Sequence, residues 1–253
     1  MLKFDPKERF SSRVENYARF RPSYPQEVVE VLKNTCAMKP DSIVADIASG
    51  TGIFTRLLLK NGNRVFGVEP NHDMRKAGEH YLANYQNFIS VNGAAESTGL
   101  PDRSVDLVTV AQAAHWFDRE KALREFQRIL KPSGYLALLW NDRRLEATAF
   151  DRDYEQMLLT HGTDYADVKH LDADASRFFG SFQRELRVLP NFQDFDYAAL
   201  EGRLLSSSYA PQPGHPSHIP MLAELRRIFA AYQSGGKVRM EYDTKLYFGQ
   251  LVH

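Results

Sequence analysis

The sequence Asp46-Ile47-Ala48-Ser49-Gly50-Thr51-Gly52 joins a short apolar run to the start of a helical pattern. Residues 42–47 are apolar enough for a buried strand, and apolar residues recur at helical spacing over 53–59. Glycines at such a turn let the backbone bend tightly and approach a ligand, with the N–H groups of the next helix pointing at it. A plain strand-to-helix turn, with glycines for packing, would look the same.

The alternation of short apolar runs and helical patterns continues along the chain. Further strands are predicted at 64–68, 88–91, 105–110 and 135–140, and helices are predicted to start after Asn71 and Asp118. Short apolar strands separated by helices are typical of a parallel sheet that is covered on both faces. The sequence therefore predicts a doubly wound α/β fold.

The composition disfavours several classes of protein. Thirty-two basic and thirty-two acidic residues balance, whereas nucleic-acid-binding proteins usually carry a basic excess. A single cysteine, Cys36, forms no internal disulfide and no cysteine-based zinc site, which favours a reducing compartment. The N-terminus has no apolar signal core, and the longest apolar stretch, 107–117, is too short to span a bilayer. We expect a cytoplasmic protein without nucleic-acid or membrane partners, and the oligomeric state stays open.

Ligands of doubly wound sheets bind beyond the carboxyl ends of the strands. The residues at these ends are small, acidic or aromatic, in segments 46–52, 69–70, 93–96, 111–116 and 140–141. Glu69 ends the second strand, and a carboxylate there can accept both hydroxyl hydrogens of a ribose. A surface glutamate is the alternative.

The loop lacks the third glycine of a dinucleotide site. That position is Thr55 if Gly50 and Gly52 are the first pair, and Ile53 if the pair is Ala48 and Gly50. The chain also has no Gly-x-x-x-x-Gly-Lys-Ser/Thr sequence for a triphosphate. The loop therefore favours a ligand with a ribose and no phosphate.

Five motifs, in the right order and spacing, resemble class I S-adenosylmethionine-dependent methyltransferases, and more narrowly their small-molecule type 11 group. These motifs are Asp46–Gly52, Val68–Asn71, Gly93–Asp102, Val105–Val108 and Ala111–Asp118. The segment Tyr17–Pro25 also looks like this group, while Ser206–Pro211 and the final strand resemble a subgroup close to trans-aconitate methyltransferase. The resemblance implies a seven-stranded, mostly parallel, Rossmann-like sheet with an inserted helical cap. It also implies methyl transfer from S-adenosylmethionine to a small-molecule acceptor, leaving S-adenosylhomocysteine.

The same resemblance implies an organisation of the chain. Residues 1–40 would be an N-terminal lid and first helix, residues 41–141 the cofactor-binding core, residues 142–235 a helical cap with one sheet strand, and residues 236–253 the final strand. Beyond residue 141 the sequence itself favours helices at 150–180 and 221–232 and a strand at 182–189.

The residues implied to hold the cofactor follow from the motifs. Those that would wrap its methionine part are Ala48, Ser49, Gly50, Thr51 and Gly52, with Asp46 holding the loop. Those at the ribose and adenine are Glu69, Pro70, Met74, Ala95 and Glu96. Those under the transferred methyl group are Ala111, Gln112 and Ala113, and the lid would add Tyr17 and Arg21. Two positions depart from the family pattern, since Ala48 replaces a glycine and Ala94 replaces an acidic residue.

The acceptor side has two open interpretations. His115 follows the fourth strand and could be a general base for an alcohol, phenol or amine, or a pocket residue that only forms hydrogen bonds. A carboxylic acid acceptor would need no base and would favour an arginine instead. An oxygen nucleophile, possibly a carboxylate, is the first hypothesis. The other candidates are Arg21, Arg143 and Arg144 for an anion, Trp116 and Trp140 as apolar walls, and Tyr24 and Tyr209 as substrate contacts.

No metal site is expected, because His215 and His218 lack a third ligand candidate. Two other functions stay open. One is an oxidoreductase using NAD, which Ile53 and Thr55 disfavour; the other is a non-catalytic S-adenosylmethionine-binding protein, which Ala48 and Ala94 keep possible.

Overall fold

The computed structural model describes residues 20–166 and 176–251, and seven strands in these ranges form one sheet. The strands are β1 Ile43–Ile47, β2 Arg64–Val68, β3 Phe88–Val91, β4 Val105–Ala111, β5 Leu130–Arg143, β6 Glu185–Phe195 and β7 Val238–Gly249. Their order is β3-β2-β1-β4-β5-β7-β6. The first five strands are parallel, and β7 runs antiparallel between β5 and β6. The predicted seven-stranded, mostly parallel α/β fold is confirmed.

Helices flank the sheet and build the cap. They are α1 Glu27–Thr35, α2 Ile53–Lys60, α3 His72–Tyr81, α4 Arg119–Ile129, α5 Ala149–His161, α6 Ser176–Phe179, α7 Tyr197–Leu205 and α8 His218–Tyr232. Asn71 caps α3 by accepting hydrogen bonds from the amides of Asp73 and Met74, each at 3.0 Å. Asp118 caps α4 through the amide of Lys121 at 3.2 Å. Both predicted helix starts are confirmed, because each cap satisfies amides that have no partner within the helix. No helix in the described ranges is long and apolar enough to cross a membrane.

Alternate residues of the central strands face two separate apolar clusters. Val44 of β1 and Leu107 of β4 point into one cluster, while Ala45 and Val108 point into the other. All four residues are buried. Because each face of the sheet is covered, the central strands read as continuous apolar runs.

The cap has an apolar cluster of its own. It joins α5, α7 and α8 to the start of β7, through residues such as Tyr154, Leu204, Leu225 and Met240. The cap also contributes β6, which pairs with β7 along its whole length. The cap is therefore tied to the sheet both by side-chain packing and by backbone hydrogen bonds.

Two predicted boundaries are wrong. The strand expected at 182–189 is β6, which continues through Pro190 to Phe195. A proline is tolerated there because β6 is an edge strand with an unpaired side. The strand expected at 135–140 begins earlier, at Leu130, and its pairing with β4 shifts register before resuming at Tyr135.

Candidate functional site

A cavity of about 500 Å³ opens where β1, β4 and β5 end. Its other walls come from the start of the described chain, the cap and β7. The sequence-predicted residues that line it are Arg21, Tyr24, Asp46, Ala48, Ser49, Gly50, Thr51, Ala111, Gln112, His115, Trp116, Trp140, Arg143 and Tyr209. The topology therefore brings the strand-end motifs and the predicted acceptor residues to one place.

Other predicted residues do not line this cavity. They are Gly52, Glu69, Pro70, Met74, Ala95, Glu96 and Ala113. Tyr17 lies outside the described residues. Ala113 packs into the core just before a 3-10 turn at Ala114–Trp116 and is 8% exposed, and its place under the methyl group stays a prediction.

The loop after β1 depends on left-handed backbone at alternate positions. Ala48, Gly50 and Gly52 have φ angles of +53°, +57° and +82°. A Cβ on Gly52 would lie 2.6 Å from Cδ1 of Leu82, so both the conformation and the space require glycine. Ala48 adopts the same conformation with a side chain, which costs about 1–2 kcal/mol. The turn is therefore held in a strained shape beside the cavity.

A second strained residue lies at the end of β4. Gln112 has a φ of +61°, and its backbone N–H donates a hydrogen bond to the backbone carbonyl of Leu139 at 2.9 Å. Left-handed backbone at non-glycine residues is uncommon and concentrates at functional sites. Ala48 and Gln112 therefore mark the ends of two adjacent strands, at the place where both line the cavity.

Glu69 is buried at the end of β2, with 7% of its surface exposed. Oε2 accepts a hydrogen bond from the amide of Gly50 at 3.0 Å, and Oε1 accepts one from the amide of Asn71 at 2.8 Å. Two backbone donors thus fix the carboxylate beside the glycine loop. The alternative of a surface glutamate is excluded.

Asp46 connects three elements beneath the loop. Its carboxylate accepts hydrogen bonds from Thr55 of α2 at 2.6 Å and from Thr109 of β4 at 2.8 Å. Burial raises the pKa of Asp46 to about 6, although the two hydroxyl donors lower it and only partly offset that rise. The geometry matches its expected role as the residue that holds the loop.

The residues predicted at the adenine lie on α3 and in the turn that follows β3. Met74 of α3 is buried, and its terminal methyl lies 3.5 Å from the position that a Cβ on Gly50 would take. Ala95 is buried within a tight turn that the Ala94–Ser97 bridge closes. Glu96 accepts a hydrogen bond from the amide of Asp118 at 2.8 Å, which ties the turn to the start of α4.

His115 lines the cavity with its ring 4.7 Å from that of Trp116. Burial lowers the pKa of His115 to about 4, because the charged imidazolium loses its hydration. The imidazole is therefore neutral at pH 7 and only weakly basic. This favours a hydrogen-bonding residue over a strong general base.

The two arginines at the end of β5 have different surroundings. Arg143 is buried, lines the cavity and donates hydrogen bonds to Glu155 and, at 3.2 Å, to the hydroxyl of Tyr165. Arg144 lies outside the cavity, with ion pairs to Glu241 and Asp243. Arg143 is therefore the better placed of the two for a ligand.

Sequence reasoning missed Arg203 of α7, which lines the cavity and is 7% exposed. A signal was present, since Arg203 lies three residues after Leu200 and one before Leu204, on the buried face of the helix. The other missed lining residues are Pro22, Ile53, Phe54, Asn141, Asp142, Leu145, Tyr165, Ser208, Tyr242, Asp243, Lys245 and Tyr247. Among the described residues, no group of three or more His, Cys, Asp or Glu side chains is placed to hold a metal ion.

Known proteins resemble part of this chain in sequence and most of it in fold. The methyltransferase domain family model matches residues 45–138. An uncharacterised methyltransferase of Mycobacterium tuberculosis is 40% identical over 134 residues, which make up 53% of this chain and 52% of the relative. An uncharacterised methyltransferase of Schizosaccharomyces pombe is 33% identical over 135 residues, 53% of each chain. The chain spans about half the length of the curated relatives it matches.

Two solved structures share the fold over most of the chain. A candidate type II methyltransferase from Anaeromyxobacter dehalogenans has a TM-score of 0.72 at 21% identity, covering 92% of this chain and 99% of that one. A candidate methyltransferase of an antibiotic biosynthesis pathway from Anabaena variabilis has a TM-score of 0.63 at 23% identity, with the same coverage. Residues 45–138 thus match the methyltransferase domain, within a fold that solved proteins share across the core and the cap.

Proposed function

We propose that this protein transfers a methyl group from S-adenosylmethionine to an oxygen atom of a small-molecule acceptor, giving S-adenosylhomocysteine. The match of residues 45–138 to the methyltransferase domain supports the reaction class. The observation that carries the proposal is the buried carboxylate of Glu69, hydrogen-bonded to the loop amide of Gly50. This carboxylate, which would accept the ribose hydroxyls, lies beside a glycine turn that lacks the third glycine a pyrophosphate would need.

The residues at the loop fit this cofactor. Thr51 is 1% exposed and lines the cavity, and its Oγ1 has no hydrogen-bond partner among the described residues. Buried hydroxyls are normally paired, so this one is suited to a polar group of a ligand. Glu69 would hold the ribose hydroxyls, and Ala48 to Thr51 would hold the amino-acid part. Pro70, Met74, Ala95 and Glu96 are proposed for the adenine.

When bound, the cofactor would supply an activated methyl group, because its sulfur can leave as the neutral thioether S-adenosylhomocysteine when an acceptor oxygen bonds to the methyl carbon. The chain's own contribution is to align the acceptor and to exclude water, which can lower the barrier by about 7–11 kcal/mol. Ala111 and Gln112 line the cavity at the end of β4. Trp116 and Trp140 contribute large aromatic surfaces to its wall. His115, neutral at pH 7, accepts a hydrogen bond from an acceptor hydroxyl or orients a carboxylic acid.

A small acceptor is supported by the size of the site and by the cap residues in its wall. The cap covers the cavity with Tyr209 and Arg203, and about 500 Å³ is a volume typical of small-molecule sites. A carboxylate acceptor is supported by Arg143 in the wall and by the narrower resemblance of Ser206–Pro211 to a trans-aconitate methyltransferase subgroup.

The proposal is tested with S-adenosylmethionine that carries a labelled methyl group and a panel of small acids, phenols and amines. We expect labelled methyl esters, which release labelled methanol in mild base, whereas ethers and methylamines do not. Label only in amines would contradict the oxygen target. Tight cofactor binding without transfer to any acceptor would favour the non-catalytic alternative.

A further inference from the structure

The cavity contains three buried N–H groups without an acceptor among the described residues. They are Trp140 Nε1, Arg143 Nη1 and Arg203 Nε. Trp140 is 4% exposed and Arg203 is 7% exposed, and the side chain of Arg143 is 9% exposed. Buried donors are almost always paired, and three unpaired donors in one cavity call for a ligand with oxygen acceptors.

Arg203 differs from Arg143 and Lys245, two other cations of the cavity, in its charge balance. Arg143 is paired with Glu155, and Lys245 is paired with Asp142 at 2.6 Å. Arg203 donates a hydrogen bond to Ser207 Oγ at 2.9 Å, and within the described ranges no carboxylate forms an ion pair with it. A buried guanidinium without an anion is costly, so its retention in the wall needs a compensating charge.

The two guanidinium groups act on the same tyrosines. Both Arg143 and Arg203 influence the ionisation of Tyr154 and Tyr209. Burial would raise the pKa of Tyr209, but the positive charges of Arg203, Arg21 and Arg143 and a hydrogen bond with Ser207 outweigh it, so that the pKa is lowered. The positive charges of Arg143 and Arg203 therefore both act on tyrosines at the cap side of the cavity.

We propose that Arg203, together with the unpaired Nη1 of Arg143, is a subsite for an anionic oxygen group of the acceptor, such as a carboxylate, separate from the oxygen that is methylated. Arg203 lies on α7, where Tyr154 and Tyr242 of the cap cluster act on its guanidinium, whereas the loop at Ala48 belongs to the core wall. The planar guanidinium matches a carboxylate and holds it with directed hydrogen bonds. Arg203 is then a specificity residue, and the anchored acid directs the other end of the acceptor toward the loop. This inference rests on the proposed function.

The test compares acid and amide probes of the same shape, 4-hydroxybenzoate with 4-hydroxybenzamide and succinate with succinamide. Their dissociation constants are measured by thermal shift, with and without S-adenosylhomocysteine. We expect the acid to bind about tenfold or more tightly than its amide in at least one pair, since a hydrogen bond to a charged group contributes this much. In R203Q the ratio should fall to about one.

R227Q is the matched control, because Arg227 lies on α8 of the same cap, is more than half exposed and pairs with Glu224. It should keep the acid preference. If R203Q does not unfold cooperatively, R203K replaces it, and a preference reduced by more than about threefold supports the subsite. Equal binding of acid and amide by the wild type, or a preference that survives removal of Arg203, would overturn the inference. Failure of S-adenosylhomocysteine to stabilise the wild type would instead contradict the proposed function.

Discussion

The carboxylate of Glu69 accepts a hydrogen bond from the backbone amide of Gly50 at 3.0 Å. Glu69 follows β2, and Gly50 lies in the turn between β1 and α2. The hydrogen bond fixes the positions of these two neighbouring βα units relative to each other. Since the second carboxylate oxygen is held by the amide of Asn71, the side chain has no freedom to turn away from the loop. The proposed cofactor site is therefore organised before any ligand arrives, which reduces the entropy cost of binding.

Gly52 should be the most sensitive glycine of the loop. In G52A the new methyl group meets Leu82 at 2.6 Å and the backbone stays at a φ of +82°, so we expect a loss of about 2–4 kcal/mol in the free energy of unfolding. G99A is the control, because Gly99 has a φ of +75° with no atom within 4 Å of the added methyl. Its free energy of unfolding should fall only by the cost of left-handed backbone at a residue with a side chain, about 1–2 kcal/mol. Urea unfolding measures both, and equal losses would show that the Leu82 contact is unimportant.

Ala48 should tolerate glycine well. A48G relieves left-handed strain at a φ of +53° but increases the entropy of the unfolded chain, so the net change expected is a gain of up to about 1 kcal/mol. Urea unfolding of A48G and the wild type measures this difference in the free energy of unfolding. A loss of more than about 1 kcal/mol would mean that the Ala48 methyl makes a packing contact that outweighs the strain.

His115 should make the protein less stable in acid. Burial lowers its pKa to about 4, so between that value and the ordinary 6.5 the unfolded chain binds a proton that the folded chain does not. Its contribution to stability is present above pH 6.5 and is lost as the pH falls through 4. Asp46 acts in the opposite sense, because its pKa is raised to about 6 and the folded chain then holds the extra proton.

Replacing His115 separates these two effects. Between pH 7 and pH 4.5, the free energy of unfolding of H115Q should fall less than that of the wild type, by up to about 3 kcal/mol. Urea unfolding at both pH values measures this difference. Parallel pH profiles for the two proteins would show that the imidazole titrates normally in the folded state.

The same variant bears on catalysis. An imidazole with a pKa of about 4 is a poor acceptor for the proton of a hydroxyl, and a carboxylate acceptor needs no base. We expect H115Q to lower kcat by less than about tenfold with an acidic acceptor. Initial rates at saturating cofactor measure it, and a loss of about a thousandfold would identify His115 as a general base instead.

Much of the core could be predicted because its signals are local. The turn at Gly50 and Gly52 follows from two glycines after an apolar run, and Glu69 follows from its place at a strand end. The left-handed backbone of Ala48 was not predictable, because alanine carries no sequence signal for that conformation. The position of Ala113 depends on a single 3-10 turn, which short-range patterns do not specify.

The cap was less predictable because its placement depends on distant contacts. Arg203 reaches the cavity only because α7 packs against the cap cluster and against Tyr242 of β7, thirty-nine residues later in the chain. The extension of β6 beyond residue 189 was not predicted either, and its pairing with β7 continues through Pro190 because the edge of a sheet accepts a proline.

The most direct test of the account is calorimetric titration of the wild type and E69Q with S-adenosylhomocysteine, and with NAD in parallel. We predict that the wild type binds S-adenosylhomocysteine and not NAD. In E69Q the affinity should fall by about 30-fold or more, because the charged acceptor of two ribose hydroxyls is lost. E79Q is the control, because Glu79 lies on α3 and accepts hydrogen bonds from Lys76 and Ser90. This variant should bind S-adenosylhomocysteine as tightly as the wild type does. Binding of NAD alone, or unchanged affinity in a folded E69Q, would contradict the assignment of this site.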